Sequence, residues 1–123
     1  TGRSSEAAEA FQQGLAIVEP LLGPRHPSLL NLWVGKAEAY AAMRQYAAAE
    51  ELLLTADRVA AEFLGPAHPT RLQVLALRHR LLREAGRRSE AKDLEKFARK
   101  LARESGNQRH TVTWAELTRS IQD

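Results

Sequence analysis

Four histidines are the first residues whose chemistry suggests a site: His26, His68, His79 and His110. His26 and His68 lie 42 residues apart in matching Gly-Pro-x-His-Pro segments, and His110 follows at the same interval in a decayed copy, Gly106-Asn107-Gln108-Arg109-His110-Thr111. One metal ion needs its ligands within about 2 Å of itself. Side chains repeated at one point of successive structural units are held a unit's width apart, so no metal site is expected. The linker imidazoles are expected to pack over the Gly-Pro turn or hydrogen-bond to it. His79 falls on an apolar stripe and reads as a packing residue rather than a catalytic base. The carboxylate pairs Glu50-Glu51 and Glu90/Asp93 fall on exposed helical faces with no partner base, nucleophile or glycine loop beside them. No Ser-His-Asp set, phosphate loop or His-Glu-x-x-His motif occurs. The sequence has no cysteine, which excludes disulfides, thiolate sites and cysteine nucleophiles. The expectation is a protein that is not an enzyme, with no catalytic residue, cofactor or bound metal.

A basic run offers a different chemistry. Arg78, Arg80, Arg83, Arg87, Arg88, Lys92, Lys96, Arg99, Lys100 and Arg103 crowd the second half. Residues 1–63 hold five Lys/Arg against eight Asp/Glu, net −3, while residues 64–123 hold thirteen against seven, net +6. Such a half can attract nucleic acid, an acidic partner or an acidic neighbouring copy. Nucleic-acid binders usually interleave aromatic residues for base stacking, and only Phe97 lies in this stretch. Glu84, Glu90, Asp93, Glu95 and Glu104 alternate with the basic residues and would pair with part of them along a helix. A solvated, arginine-rich helix surface explains the same run.

The elements that carry these residues follow from composition and periodicity. With 123 residues, 44% of them hydrophobic and 27% charged, the chain fits one globular domain over 1–123. No apolar run approaches the roughly 18 residues of a membrane span, and no secretory leader opens the sequence, so a cytoplasmic protein without membrane contact is expected. The chain does not begin with Met, which suggests a fragment of a larger regulatory protein. Ala, Leu, Arg and Glu dominate and favour helix throughout. The motif Leu22-Gly23-Pro24-Arg25-His26-Pro27 returns as Leu64-Gly65-Pro66-Ala67-His68-Pro69, and residues 22–63 placed over 64–105 share 11 identities without a gap. Two periods before Gly86-Arg87-Arg88-Ser89-Glu90-Ala91 stands Gly2-Arg3-Ser4-Ser5-Glu6-Ala7, with five of six positions identical. The chain therefore divides into a half repeat (1–21), two full repeats (22–63 and 64–105) and a second half repeat (106–123).

Each period fits two amphipathic helices. Leu30, Trp33, Ala37 and Tyr40 recur at helical spacing over 28–43, as do Leu72, Leu75, His79 and Leu82 over 70–85. The following helices carry Ala49, Leu52, Leu53, Ala56, Val59, Ala60 and Phe63, then Ala91, Leu94, Ala98, Leu101 and Ala102. A leading helix over 4–19 offers Ala7, Phe11, Gly14, Ile17 and Val18, and a closing one over 111–121 offers Trp114, Leu117 and Ile121. Gly-Pro ends each second helix. The Pro after His suits a first helical turn, where Ser28 and Thr70 are expected to serve the exposed amides. Pro20 should stop or kink the leading helix one turn early.

At these residues the sequence resembles tetratricopeptide repeats, in the longer variant found in kinesin light chains and many bacterial regulatory proteins. The resemblance rests on the Leu-Gly-Pro-x-His-Pro linker, on Trp33, Ala37, Tyr40, Ala49, Leu53 and Ala56 in the first full repeat, on Ala91 and Ala98 in the second, and on Ala7 and Phe11 in the leading half. Arg44 stands where the family has a turn glycine, Glu95 where an apolar residue is usual, and His79 in a small-residue slot. The resemblance implies an all-α fold, a right-handed superhelical stack of antiparallel helix pairs (an α-solenoid), whose first helices line a concave groove. Opposite the core stripe, Asn31, Val34 and Glu38 follow helical spacing, and Gln73, Leu77, Arg80 and Arg83 do so one period on. In the family this face contacts a peptide or helix of another protein. An interaction scaffold with such a peptide-binding groove is the expected function, for a peptide or helix of acidic character. A basic nucleic-acid-binding module is the alternative. Head-to-tail self-association is also expected, because the chain opens on a second helix and closes on a first.

Overall fold

The computed structural model describes residues 2–104. Among these the chain is all-helical, with no strand. The elements are α1 (Gly2–Leu22), a 3-10 turn (Pro27–Leu29), α2 (Leu30–Ala42), α3 (Tyr46–Phe63), α4 (Pro69–Glu84) and α5 (Arg88–Glu104). The expected closing helix over 111–121, and His110 with it, lies outside the described residues. The chain forms two compact units, Thr1–Val59 and Ala60–Asp123, whose boundary falls inside α3.

In the first unit α1 pairs with α2. The Phe11 ring lies over Gly35, the Leu32 side chain meets Gly14, and Lys36 Nζ donates to Gln12 Oε1. These partners run in opposite directions along the two helices, so the pair is antiparallel. Gly35 permits the close approach, since a Cβ there would overlap the Phe11 ring. The buried residues are Ala8 and Leu15 on α1, Leu29, Leu30, Trp33, Ala37 and Ala39 around α2, and Ala49, Leu53, Ala56 and Val59 on α3. The stripe on α1 is rotated from the expected one. Ala8 and Leu15 are buried, Phe11, Gly14 and Val18 flank them half-buried, and Ile17 is exposed. α1 packs on α2 through Phe11 and Gly14, and Ile17 stands outside that contact.

In the second unit α4 and α5 share one core. Leu72, Leu75, Ala76 and Leu82 pack with Ala91, Leu94, Ala98, Leu101 and Ala102. The expected stripes on both helices are thus buried, His79 included. α4 also buries Val74 and Leu81 outside that cluster, so it is apolar on more than one side. Phe63, expected at the end of the α3 stripe, is exposed.

The turns repeat as closely as the stripes. At the end of α4, Gly86 has φ +81°. Its N–H bonds Arg83 O at 3.1 Å, and the Arg87 N–H reaches Leu82 O at 2.8 Å. One period earlier Arg44 makes the same motif with φ +62°, its N–H on Ala41 O at 2.9 Å and the Gln45 N–H on Tyr40 O at 2.9 Å. A left-handed arginine thus stands where its equivalent is glycine.

The linker histidines are helix caps. His26 Nδ1 accepts the Ser28 N–H at 3.1 Å, and His68 Nδ1 accepts the Thr70 N–H at 3.1 Å. Ser28 and Thr70 supply amides rather than capping them, because the extended backbone at His26 and His68 brings the imidazole over the first turn. Both rings carry their proton on Nε2 in this arrangement. Pro20 does not stop α1, which continues to Leu22. Pro20 sits in the last turn on the exposed side, and the Gly23 N–H closes the helix on Glu19 O at 2.7 Å.

Trp33→Ala should cost about 3–5 kcal/mol through the cavity it leaves, whereas His68→Ala should cost about 1 kcal/mol through the lost cap. Urea melts giving the reverse order would contradict this division between core and cap. Arg44→Gly relieves a left-handed residue but frees the unfolded chain, so a gain of about 0.5–1 kcal/mol is expected. The same melts check it, with no change or a loss as the opposing result.

Candidate interaction face

On α2 the row Asn31, Val34, Glu38 lies between two occupied sides. Trp33 and Ala37 are buried on one side, and Gly35 and Lys36 contact α1 on the other. Asn31 and Glu38 are exposed, with Val34 half-buried between them. An amide, an aliphatic patch and a carboxylate along one helix face can bond a peptide backbone and bury a small apolar side chain. On α4, Gln73 and Arg83 are exposed, while Leu77 and Arg80 are half-buried. The residues expected to line a groove therefore form two rows, one on the first helix of each full repeat and one in each compact unit. The α2 row is acidic and the α4 row basic.

Arg80 is not a lone cation. Its Nε lies 3.3 Å from Glu84 Oε1, one helical turn on. Glu84 is among the acids expected from the sequence to pair with the basic run along a helix, and the i,i+4 spacing matches it to Arg80. The pair is partly exposed and weak, so a ligand carboxylate can compete for the guanidinium.

The other chemical candidates resolve into structure. His79 is 7% exposed, with Nε2 3.8 Å from Glu95 Oε2. Burial pushes its pKa below the ordinary imidazole value, and Arg83 and Arg99 add to this while Glu95 opposes it. Glu95 also accepts Arg99 Nε at 3.1 Å and Nη2 at 2.9 Å. Two of the departures from the repeat pattern, His79 and Glu95, thus face one another across α4 and α5. Glu90 accepts Arg87 Nε at 2.8 Å and is also bonded by Nη2, which holds its carboxyl below the usual range. Arg88, Lys92, Lys96, Arg99 and Arg103 form an exposed basic row on α5. Phe97, beside it, carries the Arg71 guanidinium 5.4 Å from its ring centroid. A hollow at the end of α1 is lined by Gln12, Leu15, Ala16, Glu19, Pro20, Gly23 and Pro24, with Glu19 its one ionisable group. Among the described residues no three His, Asp or Glu side chains group as metal ligands. Nor is any described helix long and apolar enough to cross a membrane.

No protein-family model matches the chain, and no curated protein sequence matches it.

A pH test follows from His79. Its folded-state pKa lies below its unfolded value near 6.5, so the unfolded chain binds more protons between the two. Stability is therefore complete above about pH 6.5 and falls as the pH drops through the lower folded value. Urea midpoints for the wild type and His79→Leu should diverge in pH dependence between neutral and mildly acid pH, the variant losing less. Parallel curves would show that His79 titrates alike in both states.

Proposed function

We propose that this chain is a tetratricopeptide-like interaction module, similar to the kinesin-light-chain variant. In this reading its helix pairs stack as a right-handed superhelix in the cytoplasm. The first helices offer Asn31, Val34, Glu38, Gln73, Leu77, Arg80 and Arg83 to a peptide or helix of another protein. It is a scaffold rather than an enzyme. One observation supports this most: in both full repeats the first helix keeps a polar row with a half-buried aliphatic residue, although its other sides are buried or in contact. The basic character of the α4 row favours an acidic segment.

Titration of Glu- and Asp-rich peptides containing one aliphatic residue, followed by anisotropy, tests the reading. Arg80→Glu with Arg83→Glu should weaken binding about tenfold or more, where each tenfold is about 1.4 kcal/mol. Lys92→Glu on α5 should change it little, and circular dichroism should show both variants folded. Equal losses would mean diffuse charge attraction, and no loss would place the ligand elsewhere. The second reading, nucleic-acid binding, draws on the basic row of α5. It requires affinity for random oligonucleotides with a steep salt dependence.

A further inference from the structure

α4 ends on a carboxylate that helix stability does not account for. Glu84 is its last residue, where the negative end of the helix dipole disfavours an anion. Its partner Arg80 lies four residues before it, and an ion pair in that order supports a helix less well than the reverse order. Both side chains are partly exposed, so their attraction is small. A residue that breaks local rules in this way points to a role outside its own helix.

Its position on the helix says what that role is. At about 100° per residue, Gln73, Leu77, Arg80 and Glu84 fall within about 60° of one another, with Arg83 about 60° beyond Arg80. The four stand four, three and four residues apart, which is the spacing of the seam by which one helix packs along another. Gln73 and Glu84 are exposed, and Leu77 and Arg80 are half-buried. The seam thus reads amide, aliphatic, cation, anion over about 16.5 Å of helix axis. Arg83 adds a positive charge at its edge.

A partner helix has the same rise, so its own seam residues can meet these one to one. It would set an aliphatic side chain on Leu77, a carboxylate on Arg80 and a cation on Glu84. Each of the four charges then has two neighbours of opposite sign, one on its own helix and one across. In the exchanged order cation meets cation and anion meets anion, and such repulsion is what separates one partner from another.

We propose that the Arg80–Glu84 pair determines which helix the α4 row accepts: one whose acidic residue stands between an aliphatic and a basic residue, three positions from the first and four from the second. This inference rests on the interaction-module reading and sharpens it. Arg83 draws acidic segments in general, while the pair selects the order of charges.

Alanine-based helical peptides test it. One isomer carries a valine, a glutamate three residues away and a lysine four further on. The other has glutamate and lysine exchanged, and each is made in both chain directions. The isomers share one composition and one net charge, so diffuse attraction cannot separate them. By anisotropy the first should bind the wild type about tenfold more tightly than the second. Arg80→Glu with Glu84→Arg keeps an ion pair within the helix, should remain folded by circular dichroism, and should reverse the preference. If glutamate-rich peptides bind through Arg80 and Arg83 but the isomers bind equally or not at all, this inference alone is overturned. The same preference in both proteins overturns it too. Failure of the glutamate-rich peptides as well would overturn the interaction reading itself, and this inference with it.

Discussion

The helix α4 buries apolar side chains on more than one side, and a single pair of helices cannot provide that. Helices of 13–21 residues are marginal in water without tertiary contacts, and an isolated pair covers only one stripe on each member. α4 shows the demand most clearly: Leu72, Leu75 and Leu82 go to the cluster shared with α5, while Val74 and Leu81 are buried outside it. α5 shows the other extreme, apolar along Ala91, Leu94, Ala98 and Leu101 and charged around the rest. In repeat architectures generally, stacking answers such a constraint by giving each interior helix a neighbour on both sides.

Close approach is the second consequence. Helices pack near enough to share a core only where one surface is small, and the buried alanines Ala37, Ala49, Ala56, Ala91 and Ala98 provide such places. At Gly35 even a methyl group is too large, because the Phe11 ring occupies the space. The turns fix the register in which these surfaces meet. Gly86 and Arg44 bend the chain through the same left-handed motif, and His68 and His26 restart the next helix through the same imidazole cap. Two different residues at one turn and one residue at both caps show where the backbone tolerates change.

Much of this architecture was legible in the residues. Period, helix boundaries and the stripes on α2, α4 and α5 came from recurring Ala and Leu positions, because burial imposes helical periodicity directly on sequence. The α1 stripe was not legible, because its register was copied from the helix two periods on. Ala8 and Leu15 are buried instead, beside the Phe11 and Gly14 contacts with α2. Pro20 misled for a related reason: in an exposed last turn the missing N–H and the ring cost little, and the helix passes through. The exposure of Asn31, Glu38, Gln73 and Arg83 was legible from helical spacing, and so was pairing of Glu84 within the basic run, whereas its choice of Arg80 needed side-chain geometry. His79 and Glu95 each looked like a local defect, and only the pairing of α4 with α5 joins them.

Charge separates the two chemistries open to the second repeat. Arg87 is engaged by Glu90, Arg99 by Glu95 and Arg80 by Glu84, so the formal excess overstates what a distant polyanion would feel. Phe97, the one aromatic in the basic stretch, has Arg71 over its ring and offers a base less room to stack. The α4 row has a different composition: Gln73 and Leu77 precede Arg80 and Arg83 along one face, combining amide, aliphatic and guanidinium groups within two to three turns. A phosphate backbone needs only the last of these, while a protein segment presents a partner for each. The arrangement of the row, more than the size of the charge, is therefore what supports the proposed peptide ligand over a nucleic acid.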